Sequence, residues 1–297
     1  MAQGIAQPPP KGQVGGSNPL RDARILTSQF LGKNAKENKE MSANNSLLQS
    51  INHGDGYSLD ICLNNNELEM FRQMIRMQWL YRIQLLVPKH LHQFDRYGIE
   101  RYHELSNLID HPNAWPTYAR VLPREATTLV KKMAFFKKLE KEFGSIDLGD
   151  EQDLGWETIY WRLVRPGNED VGSVHADRWF WELLEYKVKE PSYSFQRLKI
   201  WIAIHAVEGK NGLMVSPGSH KKEWQWHSEV KYKQKKPVID EHPDMKLLAT
   251  ESGRAVIFHD NLLHGGSENL AKTTRISVEF TLFIKASDSN HVTARRF

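Results

Sequence analysis

The stretch VGSVHADR, Val171 to Arg178, sets a histidine and an aspartate two residues apart, just downstream of a segment rich in β formers. A His-x-Asp pair is weak by itself. With 13 histidines in the chain, about one such pair is expected by chance. The chain carries three: His53/Asp55, His175/Asp177 and His242/Asp244. His53 and Asp55 sit in a polar, glycine-flanked turn with no strand to fix them. His242 and Asp244 lie only 22 residues before the next candidate ligand, His264, and enclose a proline that suits a turn. His175 precedes His264 by 89 residues, room for several strands and a return to the same end of a barrel. Side chains at i and i+2 of a strand share a face, so His175 and Asp177 are expected to converge there, with His264 arriving from a distant strand.

Two imidazoles and one carboxylate on one face of Fe(II) leave coordination positions open for a bidentate 2-oxoacid and then dioxygen. The distal carboxylate of such a cosubstrate calls for a fixed cation, which the planar fork of arginine meets in bidentate fashion. Arg275 lies 11 residues beyond His264 at the start of a β-type run, and Ser277 shares its face and could add a hydrogen bond. Trp179, Phe180 and Trp181 directly follow the motif. They could roof the site or pack the barrel against helices. Tyr160 and Arg162 alternate on the strand before the motif and are candidate substrate contacts with Trp179, although alternation alone leaves the face open.

Residues 1–50 are polar, carry Pro8-Pro9-Pro10 and Gly15-Gly16, and show no apolar periodicity, so a disordered extension is expected. Residues 51–297 are expected to form a single domain with a helical part at about 60–145 and a β core at about 155–285. Asn66 and Glu69 have capping-box spacing, followed by Leu68, Phe71, Ile75, Trp79 and Ile83 at helical spacing up to Pro88. A second amphipathic helix is expected from Pro123 to Phe143, ending at Gly144. Beyond Gly149 short β segments alternate with glycine turns: 158–164, 198–206, 212–216, 246–250, 254–259 and 275–285. Without long intervening helices they imply an antiparallel jelly-roll or cupin-type barrel behind a helical layer. Lys221 to Lys236 reads as an insertion loop.

With these residues in view, 52–285 resemble the phytanoyl-CoA dioxygenase-like branch of the Fe(II)/2-oxoglutarate oxygenases. The stretches that carry the likeness are His175-Ala-Asp177, Trp201-Ile-Ala-Ile, Asn211-Gly212, Pro217-Gly-Ser-His220, His264-Gly265 and Arg275, with Asp55-Gly56-Tyr57 as the opening. The resemblance implies a double-stranded β-helix, iron held by His175, Asp177 and His264, and 2-oxoglutarate anchored by Arg275. It implies oxidation of a small molecule by O2, with 2-oxoglutarate decarboxylated to succinate. Hydroxylation in secondary or specialised metabolism is the reading, with desaturation and ring formation as variants. An intact Asp177 argues against chlorination, since related halogenases place a small residue there. A cupin-like metal-dependent isomerase or hydrolase and a non-catalytic binding protein are the rival readings.

The formal charge is +4, from 40 basic and 36 acidic residues mixed along the chain. Such mixing speaks against a nucleic-acid partner. No run reaches the roughly 18 apolar residues of a membrane span. The lone Cys62 cannot form an internal disulfide, which points to a reducing compartment, the cytoplasm. Lys221, Lys222, Lys231, Lys233, Lys235 and Lys236 would suit an anionic substrate, or else form a solvated face. Substrate identity and oligomeric state leave no mark in the sequence.

Overall fold

The computed structural model describes residues 46–183, 190–231 and 234–286; residues 1–45, most of the expected extension, lie outside the described residues. The remainder of that extension is helical. Helix α1 (Ser46–Asn52) buries Leu47 and Ile51, and two apolar residues four apart suffice to seat one face of a short helix. Strand β1 (Tyr57–Cys62) follows, then α2 (Asn65–Leu86), which buries Leu68, Phe71, Ile75, Trp79 and Ile83 as the periodicity requires.

The cap of α2 lies two residues earlier than expected. Asn64, not Asn66, accepts the Glu67 N–H at 3.0 Å, while Glu67 Oε2 accepts the Asn64 N–H at 2.9 Å. Glu67 is buried and Glu69 is exposed, and the difference has a cause. Glu67 Oε1 also accepts the Phe135 N–H at 2.9 Å, so one carboxylate serves the first turns of two helices.

Short helices α3 (Leu91–Tyr97), α4 (Tyr102–Leu105) and α5 (His111–Ala114) lead to α6 (Arg124–Val130) and α7 (Ala134–Phe143). The single helix expected after Pro123 is thus two. The interruption at 131–133 exposes the fresh N-terminus that Glu67 caps.

The β half comprises β2 (Ile146–Leu148), β3 (Tyr160–Val164), β4 (Phe195–His205), β5 (Leu213–Val215), β6 (Trp226–Lys231), β7 (Gln234–Ile239), β8 (Lys246–Leu247), β9 (Arg254–His259), β10 (His264–Gly266) and β11 (Arg275–Lys285), with α8 (Asp177–Leu183) between β3 and β4. The large sheet runs β1-β9-β4-β11-β2 with β3 also on β11; the small sheet runs β10-β5-β8. All named pairs are antiparallel. Strands β9 and β11 match their expected bounds. The lysine-rich insertion is not a loop but a hairpin, β6 on β7.

The large sheet is buried on both faces. Ile200, Ile202 and Ile204 of β4, Ile276, Val278, Phe280 and Leu282 of β11, and Trp161 and Leu163 of β3 pack with Phe71, Trp79 and the other helical residues in one core. The opposite face meets the small sheet, where Trp201, Ala203, Val256 and Phe258 join Leu213 and Val215. This is the double-stranded β-helix with helices on its outer face. On β11 the inner face reads Arg275, Ser277, Glu279 and Thr281, each at most 6% exposed. Buried polar groups are retained only where they find partners or ligands, so this row directs attention to the barrel interior. No helix among the described residues is long and apolar enough to cross a membrane.

Candidate metal centre and cosubstrate pocket

His175 and His264 face each other in an antiparallel bridge: the His175 N–H donates to His264 O at 3.0 Å and the His264 N–H donates back at 2.9 Å. The bridge sets their ring centroids 4.4 Å apart. Asp177 does not share a strand with His175, as the alternation argument expected. The chain leaves the extended conformation after His175, and Asp177 opens α8. That turn brings Asp177 Oδ1 to 3.8 Å from His175 Nε2 and Oδ2 to 3.7 Å from His264 Nε2. One donor atom from each of the three residues lies within 4.8 Å of the others. The two other His-x-Asp pairs contribute nothing to this cluster. His205 lies beside Glu100 and His259 beside Asp260, at 3.5 and 3.2 Å.

The tautomers follow from the backbone. His175 Nδ1 is 2.7 Å from Ser173 O, and His264 Nδ1 is 3.0 Å from Leu262 O. A carbonyl only accepts, so each Nδ1 carries a proton and Nε2 is the nitrogen turned toward Asp177. Burial, reinforced by His264, pushes the His175 pKa down to about 4, leaving the ring neutral at pH 7. Burial would raise the Asp177 carboxyl, but Lys199, His264 and His175 together hold it below its ordinary value. Asp177 Oδ2 is buried without a hydrogen-bond partner. Two imidazole nitrogens and a carboxylate, one of whose oxygens has no partner, fit a divalent cation.

Arg275 is 2% exposed. Its Nη1 donates to Gly212 O at 2.6 Å and approaches Ser267 O at 3.4 Å, while Nε has no partner. Burial, with repulsion from Arg162, pushes it down to about 10, which still leaves it cationic at neutral pH. No carboxylate among the described residues forms an ion pair with it. Ser277 Oγ and Ser267 Oγ are likewise buried without partners. A Cβ on Gly266 would come within 3.2 Å of Arg275 Nη2, so the glycine makes room for the fork. A buried cation with an unpartnered Nε, and an unpartnered hydroxyl two residues on along the same strand face, suits a carboxylate.

The loop leading into the motif is pinned by Asp170, which accepts from the Arg165 backbone N–H at 2.9 Å and from its Nε and Nη2 at 2.8 Å each, with His111 Nε2 at 3.4 Å. Burial raises this carboxyl, and Arg165 and then His111 more than reverse that, holding it well below the usual range. A depressed folded pKa adds stability that is present above the unfolded value, near 3.9, and lost as pH falls through the folded one. Asp170→Asn is therefore expected to cost about 2–3 kcal/mol at pH 7, or a Tm lower by roughly 5–10 °C. The difference should shrink at pH 3, and denaturant melts at the two pH values would show it.

Among the expected substrate contacts, Trp179 packs with Ala176 and Leu263. Its ring stacks on Trp226 of the hairpin at 5.4 Å. One residue on, Phe180 packs edge-on to His175 at 4.9 Å, and Trp181 lies against Phe283 at 5.7 Å. Residues three and four past Asp177 share its helix face and Trp179, two past, does not. Tyr160 and Arg162 do lie on the inner face, opposite Glu279 and Ser277 in register. An interior ion cluster went unforeseen in the sequence. Lys199 Nζ is 2.8 Å from Glu151 Oε1, 3.1 Å from Tyr160 Oη and 3.3 Å from Thr281 Oγ1, and Arg162 Nε is bonded to Glu279. Strand parity could have found part of it: Glu279 follows Ser277 by two, and Lys199 precedes Trp201 by two.

A double-stranded β-helix with a His-Asp-His cluster at one end defines a class of metal-site barrels. The chain belongs to the phytanoyl-CoA dioxygenase (PhyH) family, whose model matches residues 105–277. It is accordingly an oxygenase-type enzyme of the Fe(II)/2-oxoglutarate kind. Among solved structures it is similar to EvdO2 from Micromonospora carbonacea var. aurantiaca complexed with 2-oxoglutarate. The two are 13% identical with a TM-score of 0.51, over 82% of this chain and 92% of that one. It is also similar to the carbocyclase SnoK from nogalamycin biosynthesis, 14% identical with a TM-score of 0.46, over 83% and 86%. EctD from S. alaskensis with 2-oxoglutarate and 5-hydroxyectoine is 14% identical with a TM-score of 0.46, over 78% and 72%. At these identities the likeness concerns the fold. No curated protein matches the chain by sequence.

Proposed function

We propose that this protein hydroxylates a small molecule, with iron held by His175, Asp177 and His264 and 2-oxoglutarate held through its distal carboxylate by Arg275 and Ser277. The observation that carries the reading is the pairing of two incomplete sites. One is the His175–Asp177–His264 cluster with an orphaned Asp177 oxygen; the other is a buried Arg275 with no anionic partner among the described residues. When bound, iron and 2-oxoglutarate supply the oxidising power drawn from O2, with 2-oxoglutarate converted to succinate and carbon dioxide.

The chain's own residues supply placement. The bridge between His175 and His264 fixes both rings before any ligand arrives, and the Ser173 and Leu262 carbonyls hold a proton on each Nδ1, so that Nε2 is the nitrogen offered to a metal. Phe180 covers one ring, and Phe258, centroid 4.6 Å from His264, covers the other, keeping bulk water off the donors. Asp177 retains the carboxylate that a halide-binding site would give up, which supports hydroxylation over chlorination. The free Cys62 supports a reducing, cytoplasmic setting. A cupin-like isomerase or hydrolase would use the triad and leave the unpaired Arg275 without a role.

The test is succinate formation from 2-oxoglutarate with added Fe(II), in the protein as it stands and in His175→Ala. Oxygen-dependent succinate in the first and background in the second is expected. Equal succinate in both, or none in the first despite bound iron, would sink the proposal.

A further inference from the structure

Arg162 is the interior arginine that the proposed chemistry leaves unused. It sits on the inner face of β3 directly opposite Ser277, alongside the row Arg275, Ser277, Glu279. Its Nε is bonded to Glu279, and the Tyr160 ring centroid lies 5.6 Å from its Cζ. Despite this tether its side chain keeps 43% of its surface open, whereas that of Glu279 keeps 8%. Arginine offers five donors in one plane, and a carboxylate on the Nε edge fixes that plane while leaving much of the fork available. Its charge favours the Asp177 carboxylate and opposes the protonated forms of His175 and Arg275. The wall around it is polar: Tyr160, Lys199 with Glu151, and Thr281. A hydrocarbon chain laid against Arg162 would take its open surface out of water without offering an acceptor in return.

We propose that Arg162 anchors an anionic group of the substrate, so that the site takes a small molecule bearing a carboxylate or phosphate in addition to its cosubstrate. This rests on the oxygenase reading above, in which Arg275 serves 2-oxoglutarate. Glu279 then orients the guanidinium and tempers its charge, so that the anion is held without being trapped. The same chemistry could come from the cosubstrate's own carboxylates, and the two sources separate by experiment.

The probe is inorganic phosphate, added to protein carrying Mn(II) in the triad and saturated with 2-oxoglutarate. Phosphate near the metal is read as paramagnetic relaxation of its 31P signal. Enhancement is expected in the unaltered protein. Arg162→Gln should weaken phosphate at least about tenfold while changing the 2-oxoglutarate Kd by no more than about twofold. Glu279→Gln, which releases the fork, should tighten phosphate several-fold, and this gain cannot arise from a misfolded variant. Phosphate relaxation that is absent, or the same in Arg162→Gln, overturns the proposal. So does a 2-oxoglutarate loss in Arg162→Gln as large as that in Arg275→Gln, which would assign the residue to the cosubstrate. If the unaltered protein bound neither Mn(II) nor 2-oxoglutarate, the oxygenase reading itself would fall. Metal and cosubstrate binding with unchanged phosphate would remove only the role of Arg162.

Discussion

His264→Ala is expected to lower Fe(II) affinity by two orders of magnitude or more while the barrel still folds. Removing an outer partner of a metal ligand already costs about 10–100-fold, and this substitution removes a donor itself. The backbone half of the His175–His264 bridge survives the change, because both of its hydrogen bonds are main-chain. The imidazole is 4% exposed and packs against Phe258, so a small cavity adds a modest stability loss of about 1–2 kcal/mol. Equilibrium dialysis with Fe(II) under anaerobic conditions measures the first effect, and a thermal melt without metal measures the second. Near-native iron affinity in His264→Ala would exclude it as a ligand. A melt as deeply depressed as the metal affinity would mean the histidine is structural.

The second large effect concerns Arg275. Arg275→Gln should weaken 2-oxoglutarate on the order of a hundredfold, since truncating one side of a buried charge pair costs about 2–5 kcal/mol. Arg275→Lys keeps the charge and loses the fork, and should fall between the two. The unliganded protein should respond in the opposite sense. A buried cation without an anion is a burden on the fold, so Arg275→Gln is expected to be no less stable than the parent, provided its amide still donates to Gly212 O. Calorimetric titration of 2-oxoglutarate into Mn(II)-loaded protein reads affinity, and denaturant unfolding reads stability. Unchanged 2-oxoglutarate binding in Arg275→Gln would move the cosubstrate site elsewhere.

Each of these two expectations starts from residues that could be found without coordinates, and the reason is local chemistry. A metal ligand must be one of a few residue types, and a cosubstrate carboxylate must meet a cation. The choice among three His-x-Asp pairs turned on distance along the chain and on the β-type segment before His175, both visible in the sequence. Strand bounds were legible in β9 and β11, whose residues are nearly all buried. Boundaries failed where one side chain served two elements. Glu67 caps α2 and the start of α7 together, and no local pattern signals a carboxylate shared across 68 residues.

Side-chain direction was legible only in part. Alternation put Arg275 and Ser277 on one face, yet it also suggested that His175 and Asp177 meet on a strand, and they meet across the start of a helix. For Trp179, Phe180 and Trp181 the sequence left roofing the site and packing the barrel both open; helical rotation sets Trp179 on the hairpin and brings Phe180 to the His175 ring. The sequence by itself determined the fold class and singled out the three residues that cluster, His175, Asp177 and His264, and the buried Arg275, because these depend on residue type and on periodicity. Tertiary structure alone decided the interior ion cluster, the bridge between the two histidines and the half-open fork of Arg162. Those depend on which strands face each other across the barrel, and that is settled by pairing between residues roughly a hundred positions apart.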